Sequence, residues 1–379
     1  MRLTARQLTL ATLDRQLLRQ RARLAAVDAV ERIVAIQAQE PASPYIALWT
    51  RVVDFDPNDL DRAFADRAVV KATLLRITLH AVSAADYPDF HDAMQPTLRA
   101  ARLDDTRFTR GGLTPAEADA IIPALRTFLS EPRTNAEVDA WMNERLGEQP
   151  RTGVWWAYRQ VGPFLHAPTG GPWSFGLRPA YVAAPERAPG ELREALQTLI
   201  RRYLEGFGPA TVADIGKVAL IYRSLLREAL DGIVDTLDRH EGPDGAELYD
   251  MPGARVPAED TPVPPRFLPM WDSILLAYAD RSRIIPPEIR GAIIRRNGDT
   301  LATVLVDGQV AGVWRPVEDG IEVTALRPIP ANAWDALDGE ARALRTFLAD
   351  RDPTVYRRYA RWWTTLDGVE VQVLGGGTT

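Results

Sequence analysis

LLRITLHAV, Leu74 to Val82, is the stretch on which the fold turns. Apolar and polar residues alternate along it, and most of them favour extended backbone, so it reads as a strand. Upstream, Asp59 to Thr73 reads as a helix that opens after the breaker Asp56-Pro57-Asn58. Earlier still, Leu8, Leu17, Leu18 and Leu24 recur at loosely helical spacing. Val27, Val30, Ile33, Val34 and Ile36 then form an apolar stripe, which Pro41 and Pro44 stop. Three helices followed by a strand, all within the first 82 residues, is a winged-helix pattern.

Downstream the pattern returns twice. Thr114-Pro115-Ala116-Glu117 and Thr134-Asn135-Ala136-Glu137 read as capping boxes, the first with proline at the opening helical position. A helix is expected over Val154 to Val161. Phe164-Leu165-His166 and Trp173-Ser174-Phe175 then flank a Pro/Gly turn and read as a hairpin. A third copy runs through helices at Glu191 to Leu204, Pro209 to Lys217 and Leu220 to Leu230. Strands at Ile233 to Leu237 and Ala246 to Tyr249 follow, around an acidic tip, Glu241 to Gly245. Beyond the proline-rich Pro262 to Pro269 come short β-like runs at Ile293-Ile294, Leu301 to Val306, Gln309 to Trp314 and Gly320 to Leu326. Asp307-Gly308 gives a strong hairpin signal there. The expected organisation is α+β and mostly helical. Winged-helix units occupy 1–110, 111–188 and 189–262, a small β-barrel 263–330, and a closing helix (Asn332 to Asp350) with a Gly-rich tail 331–379.

Composition narrows the function. The 379 residues are 46% hydrophobic and 25% charged, with no cysteine. Disulfides and thiolate metal sites are excluded. The four histidines, His80, His91, His166 and His240, form no ligand-spaced pair, so no metal is expected. No signal-peptide run and no apolar stretch of membrane-spanning length occurs, which reads as a cytoplasmic chain without a membrane. The net charge of −6 argues mildly against a nucleic-acid partner, although phosphate contacts need only local positive charge. Lys71 and Lys217 are the only lysines, so arginine supplies 43 of the 45 basic residues. GC-rich coding accounts for that bias, and guanidinium forks also suit phosphates and base edges.

No phosphate-binding, hydrolase-elbow or kinase signature is present. The distinctive local feature is Gln37-Ala38-Gln39, followed by Glu40-Pro41. In a continuous helix the two glutamines point apart, whereas in an extended exit they converge on one side. Their bland reading is capping of nearby backbone. Arg76 and His80 share strand parity and face either solvent or a channel beside the glutamines. Arg281, Arg283 and Arg315 suit phosphates or surface ion pairs. Trp155-Trp156 and Trp362-Trp363 suit stacking or a core.

LTARQLTLATLDRQLLRQR, IVAIQAQEPASPYIALWTR, LLRITLHAV, RFLPMWDSILLAYADRSRII and VDGQVAGVWR, in that order, resemble the AlkZ/YcaQ-like winged-helix DNA glycosylases over nearly the whole chain. That family's motif is glutamine, an apolar residue, then glutamine or aspartate, and Gln37-Ala38-Gln39 matches its glutamine-ending branch, typified by the azinomycin self-resistance glycosylase. The resemblance implies three tandem winged helices and a β-barrel around a C-shaped DNA channel. It also implies excision of N7-alkylpurines, including unhooking of interstrand crosslinks, with Gln37 and Gln39 catalytic. An N7-alkylguanine is already cationic, so its base departs without protonation, and two amides suffice to hold the attacking water. A lyase needs an amine nucleophile. Neither lysine has an evident activating partner, so a monofunctional enzyme is expected, acting as a monomer on double-stranded DNA without a cofactor. Glu40 ranks behind the glutamines as a base. The rival reading is a winged-helix regulator that binds DNA without chemistry, and a third is an arch that sequesters a DNA-damaging natural product.

Overall fold

The computed structural model describes residues 1–147 and 152–376. It mixes helices with three antiparallel sheets. The first sheet holds β1 (Ile36–Gln37), β2 (Val69–Thr73), β3 (Leu79–Ser83), β4 (Arg133–Thr134), β5 (Phe164–Ala167) and β6 (Ala180–Ala183), in the order β1-β3-β2-β5-β6-β4. It therefore joins the first hairpin to the second through one sheet. β7 (Asp238–Glu241) and β8 (Glu247–Asp250) form a separate ribbon. The third sheet runs β13-β12-β11-β10-β9, from Glu370–Leu374 through Gly320–Ala325, Gln309–Val317 and Thr303–Val306 to Arg266–Leu268.

Several expected elements shift, each for a local reason. The helix expected over Asp59 to Thr73 stops at Ala65, after starting at Pro57 behind the Asp56 cap. Its second half, Val69 to Thr73, is the fully buried strand β2, as its β-branched residues and its pairing with β3 and β5 favour. The strand expected over Leu74 to Val82 begins only at Leu79. Arg76 and Ile77 take left-handed backbone (φ 53° and 58°) and close the β2–β3 hairpin instead. The second strand expected at Trp173 to Phe175 lies at Ala180–Ala183, because Trp173 turns into the core and Ser174 is left-handed. Val234–Thr236 is a tight helical turn, and the strand starts after it, at Asp238.

The barrel expected over 263–330 is an open sheet. Its edges are β9 and β13, which lie at opposite ends of the strand order. Helix Ala331–Ala349 packs against β9, β12 and β13, burying Trp334, Leu337, Leu344 and Leu348, so the sheet covers its face with a helix rather than by closing on itself. The run read as a Gly-rich tail supplies β13, while residues 377–379 lie outside the described part. Asp307-Gly308 does turn the β10–β11 hairpin, with φ of 49° and 84°.

One apolar core runs from the N-terminal helices through helix Leu192–Phe207 to the third sheet, and a second lies within residues 103–181. Two buried bidentate ion pairs bridge distant parts of the chain, Arg15 with Asp250 (2.6 and 2.8 Å) and Arg51 with Asp272 (2.8 Å for each bond). Gly206 matters to the site. A Cβ there would meet Val34 Cγ2 at 2.6 Å, so glycine lets the helix press on the turn that leads into β1. Val34 itself is left-handed (φ 76°), which ends helix Ala26–Ile33 and releases the chain into the strand.

Candidate active site

A cleft of about 1010 Å³ lies beside β1 and the β2–β3 turn. Arg76, Arg102, Arg107, Arg159, Arg281, Arg290, Arg295 and Arg296 line it, and Asp299 is the carboxylate among the wall residues. Gln37 and Gln39 both open onto it. Gln37 is buried at the end of β1, opposite His80 of β3. Gln39 follows in a bend, is exposed, and has no hydrogen-bond partner among the described residues. Between them, the Ala38 N–H donates to Leu79 O at 2.8 Å and pins the exit of the strand. Glu40 does not line the cleft. It accepts from Tyr359 Oη (3.0 Å) and pairs with Arg358.

Beneath Gln37 lies a polar chain. Arg76 Nη2 donates to Gln37 Oε1 at 2.6 Å and lies 3.4 Å from His80 Nε2. On the far side of the ring, His80 Nδ1 is 3.0 Å from Thr78 O, so the ring proton belongs on Nδ1 and Nε2 is an acceptor. His80 is fully buried. Burial, and then the charge of Arg76, lower its pKa to about 3, so it is neutral at ordinary pH and stands beneath the cleft surface rather than on it. Arg76 has no carboxylate partner among the described residues. Burial and the neighbouring charge of Arg281 lower it to about 10.

The other expected positions divide. Arg281 lines the cleft, whereas Arg283 does not: it stacks on Tyr278 (3.9 Å) and donates to Pro209 O. Arg315 pairs with Glu322 across β11 and β12 (2.7 and 2.9 Å), also away from the cleft. Trp155 is core, but its neighbour Trp156 is a cleft wall with Arg102 and Arg107 stacked on it. Trp363 is buried, and Trp362 lies under Arg295. Arg102, Arg107, Arg159, Arg290, Arg295 and Arg296 escaped the sequence reading. Only the last two carried a local signal, since they precede the turn pair Asn297-Gly298, whose glycine has φ 87°.

Of the lysines, Lys71 is buried in β2 with its ammonium 4.3 Å from the centre of the Phe175 ring. Burial lowers it to about 8, opposed by Glu40. Lys217 is exposed on helix Val212–Ala219, and neither lysine lines the cleft. Among the described residues no group of three or more His, Asp or Glu is arranged to hold a metal, and no helix is long and apolar enough to cross a membrane.

A family model described as DNA glycosylase AlkZ-like matches residues 30–347. The chain belongs to the AlkZ-like DNA glycosylase family. An AlkZ-like relative, the interstrand DNA cross-link repair glycosylase of Streptomyces sahachiroi, is 26% identical over 343 residues, covering 86% of this chain and 91% of the relative. The solved structure of the Streptomyces sahachiroi DNA glycosylase AlkZ shares the fold, with a TM-score of 0.76 at 23% identity over 91% of this chain and 96% of that one. The AlkZ-like match spans both glutamines and all eight cleft arginines.

Proposed function

We propose that the chain is a monofunctional glycosylase that hydrolyses the N-glycosidic bond of bulky N7-alkylated purines in duplex DNA, crosslinked duplexes included. The observation that carries this reading is the pairing of two amide side chains, Gln37 and Gln39, at the floor of an arginine-walled cleft while the nearby carboxylate, Glu40, is engaged elsewhere. Guanidinium walls suit the phosphate backbone. Two neutral amides suit a leaving base that already carries positive charge, for which positioning of water is the main task left. The relative's crosslink-repair name supports extending the reading to crosslinks. The monofunctional mechanism is favoured because no amine lines the cleft among the described residues. In this reading the helix–hairpin stretches of 1–110, 111–188 and 189–262 grip DNA as winged helices, and one copy acts alone.

The test is base release from a duplex carrying a bulky N7-alkylguanine. Native protein is expected to leave abasic sites that break only with alkali, and Gln37→Ala/Gln39→Ala to leave none. Breakage without alkali would mean a lyase. Tight binding with no released base from monoadduct or crosslink would favour a regulator that only binds.

A further inference from the structure

We propose that Arg76 and His80 are positioning residues that fix which face of the Gln37 amide meets the cleft, so that Gln37 donates to the attacking water while Gln39 accepts from it. The inference rests on the glycosylase reading above and divides the two glutamines into unlike roles.

The argument starts from donor inventory. A guanidinium has donors and no acceptor, so the Gln37 atom held at 2.6 Å by Arg76 is the carbonyl oxygen. That removes the usual ambiguity between the two ends of an amide. The Gln37 Nε2 group, which has no partner among the described residues, is left to face the cleft that Gln37 lines. Arg76 is fixed in turn. The same Nη2 that holds Gln37 lies 3.4 Å from His80 Nε2, so its two hydrogens have two acceptors. The ring offers that lone pair only because its own proton goes from Nδ1 to Thr78 O. The backbone of Thr78 thus sets the histidine tautomer, the histidine steadies the guanidinium, and the guanidinium sets the amide. The left-handed backbone of Arg76 and Ile77 belongs to the same device, since it lets a turn residue point back under β1.

Arg76 is costly as mere scaffolding, because it is a half-buried cation without a carboxylate partner among the described residues and with Arg281 near it. Its contacts are with the glutamine and the histidine. A water held by the Gln37 N–H through one lone pair keeps its other lone pair free and needs an acceptor for a hydrogen, and the unpartnered Gln39 carbonyl is available for that. In the reaction the water oxygen bonds C1′ and the C1′–N9 pair leaves with the base, cancelling its N7 charge. The water's proton passes to solvent.

Single-turnover excision and duplex affinity separate the possibilities. Arg76→Met is expected to slow excision by about 10- to 100-fold while changing Kd for the lesion duplex by less than about 3-fold, with partial recovery in Arg76→Lys. Gln37→Glu, which keeps acceptors but loses the donor, is expected to lose about ten-fold more rate than Gln39→Glu. Equal losses in the two Glu variants overturn the division of roles. A weakened Kd with an unchanged bound-state rate in Arg76→Met makes Arg76 a phosphate contact and overturns it too. If Arg76→Met does not fold, the two Glu variants decide alone. Native protein that releases no base defeats the glycosylase reading, and this inference with it. Native release with the wrong variant pattern defeats this inference only.

Discussion

Gln37, Arg76 and His80 owe their relation to three different local causes: a strand end, a strained turn and a buried ring. Their protonation gives a pH signature. His80 stays neutral until about pH 3 and Arg76 stays charged until about pH 10. Bound-state excision of a cationic lesion is therefore expected to be flat from about pH 5 to 9, without the bell of an enzyme that relies on a titrating base. A limb near pH 6 to 7 in a single-turnover profile would contradict this. Lys71 makes the second residue-scale case. Burial holds it at about 8 in the folded chain, against roughly 10.4 when unfolded. Between those values the unfolded chain binds more protons, so this residue's contribution to stability rises with pH across that window and its penalty is complete below about pH 8. Lys71→Met is expected to raise stability at pH 7 by about 1–3 kcal/mol, with the gain fading by about pH 10, and to leave base release intact. Urea melts at the two pH values, paired with an excision assay, check both halves. The glutamines stood out in the sequence because Pro41 marks the end of the helical stretch, but their place in a site came from the family resemblance. Arg76 was noticed for the wrong reason: it was given a parity on a strand, but it sits on a turn whose left-handed backbone no propensity announces for arginine or isoleucine.

At the scale of elements, the capping boxes at Thr114 and Thr134 were legible because they are short-range chemistry, and both form as written. β2 was not legible as a strand, because burial on both faces erases alternation. β13 was missed because its pairing partner lies some fifty residues earlier, at β12, and its own valines are exposed. The contact of helix Leu192–Phe207 with the turn at Val34 is an element-scale constraint on the site. Gly206→Ala puts a methyl 2.6 Å from Val34 Cγ2. It is expected to cost about 1–3 kcal/mol and to slow excision by displacing β1, with lesion-duplex affinity less affected. A thermal melt with excision kinetics tests it, and unchanged values in both would mean the helix yields instead of the strand.

For the whole molecule, the ion pairs Arg15–Asp250 and Arg51–Asp272 tie the N-terminal helices to later segments, and their partners are 235 and 221 residues apart. Removing one partner leaves a buried charge, so Asp272→Ala is expected to cost about 3–5 kcal/mol by denaturant titration. A loss under about 1 kcal/mol would show that Arg51 finds water. Sequence patterns carry no such long-range pairing, which is also why most of the cleft arginines went unnoticed: they come from separate stretches, 102–107, 159 and 290–296, and meet only in space. The cleft they build has one more consequence. Its walls present neither thiol nor amine, because the chain has no cysteine, Lys71 is turned against Phe175, and Lys217 lies on an outer helix. Guanidinium is a poor nucleophile while it stays protonated, so most of the cleft surface is chemically inert toward alkylating agents. The exceptions are the Asp299 carboxylate and His166, a wall residue whose ring burial keeps well below the usual histidine range and therefore unprotonated. Peptide mapping after exposure to a nitrogen mustard is expected to find the cleft adducts on that carboxylate and that imidazole, with the arginines unmarked.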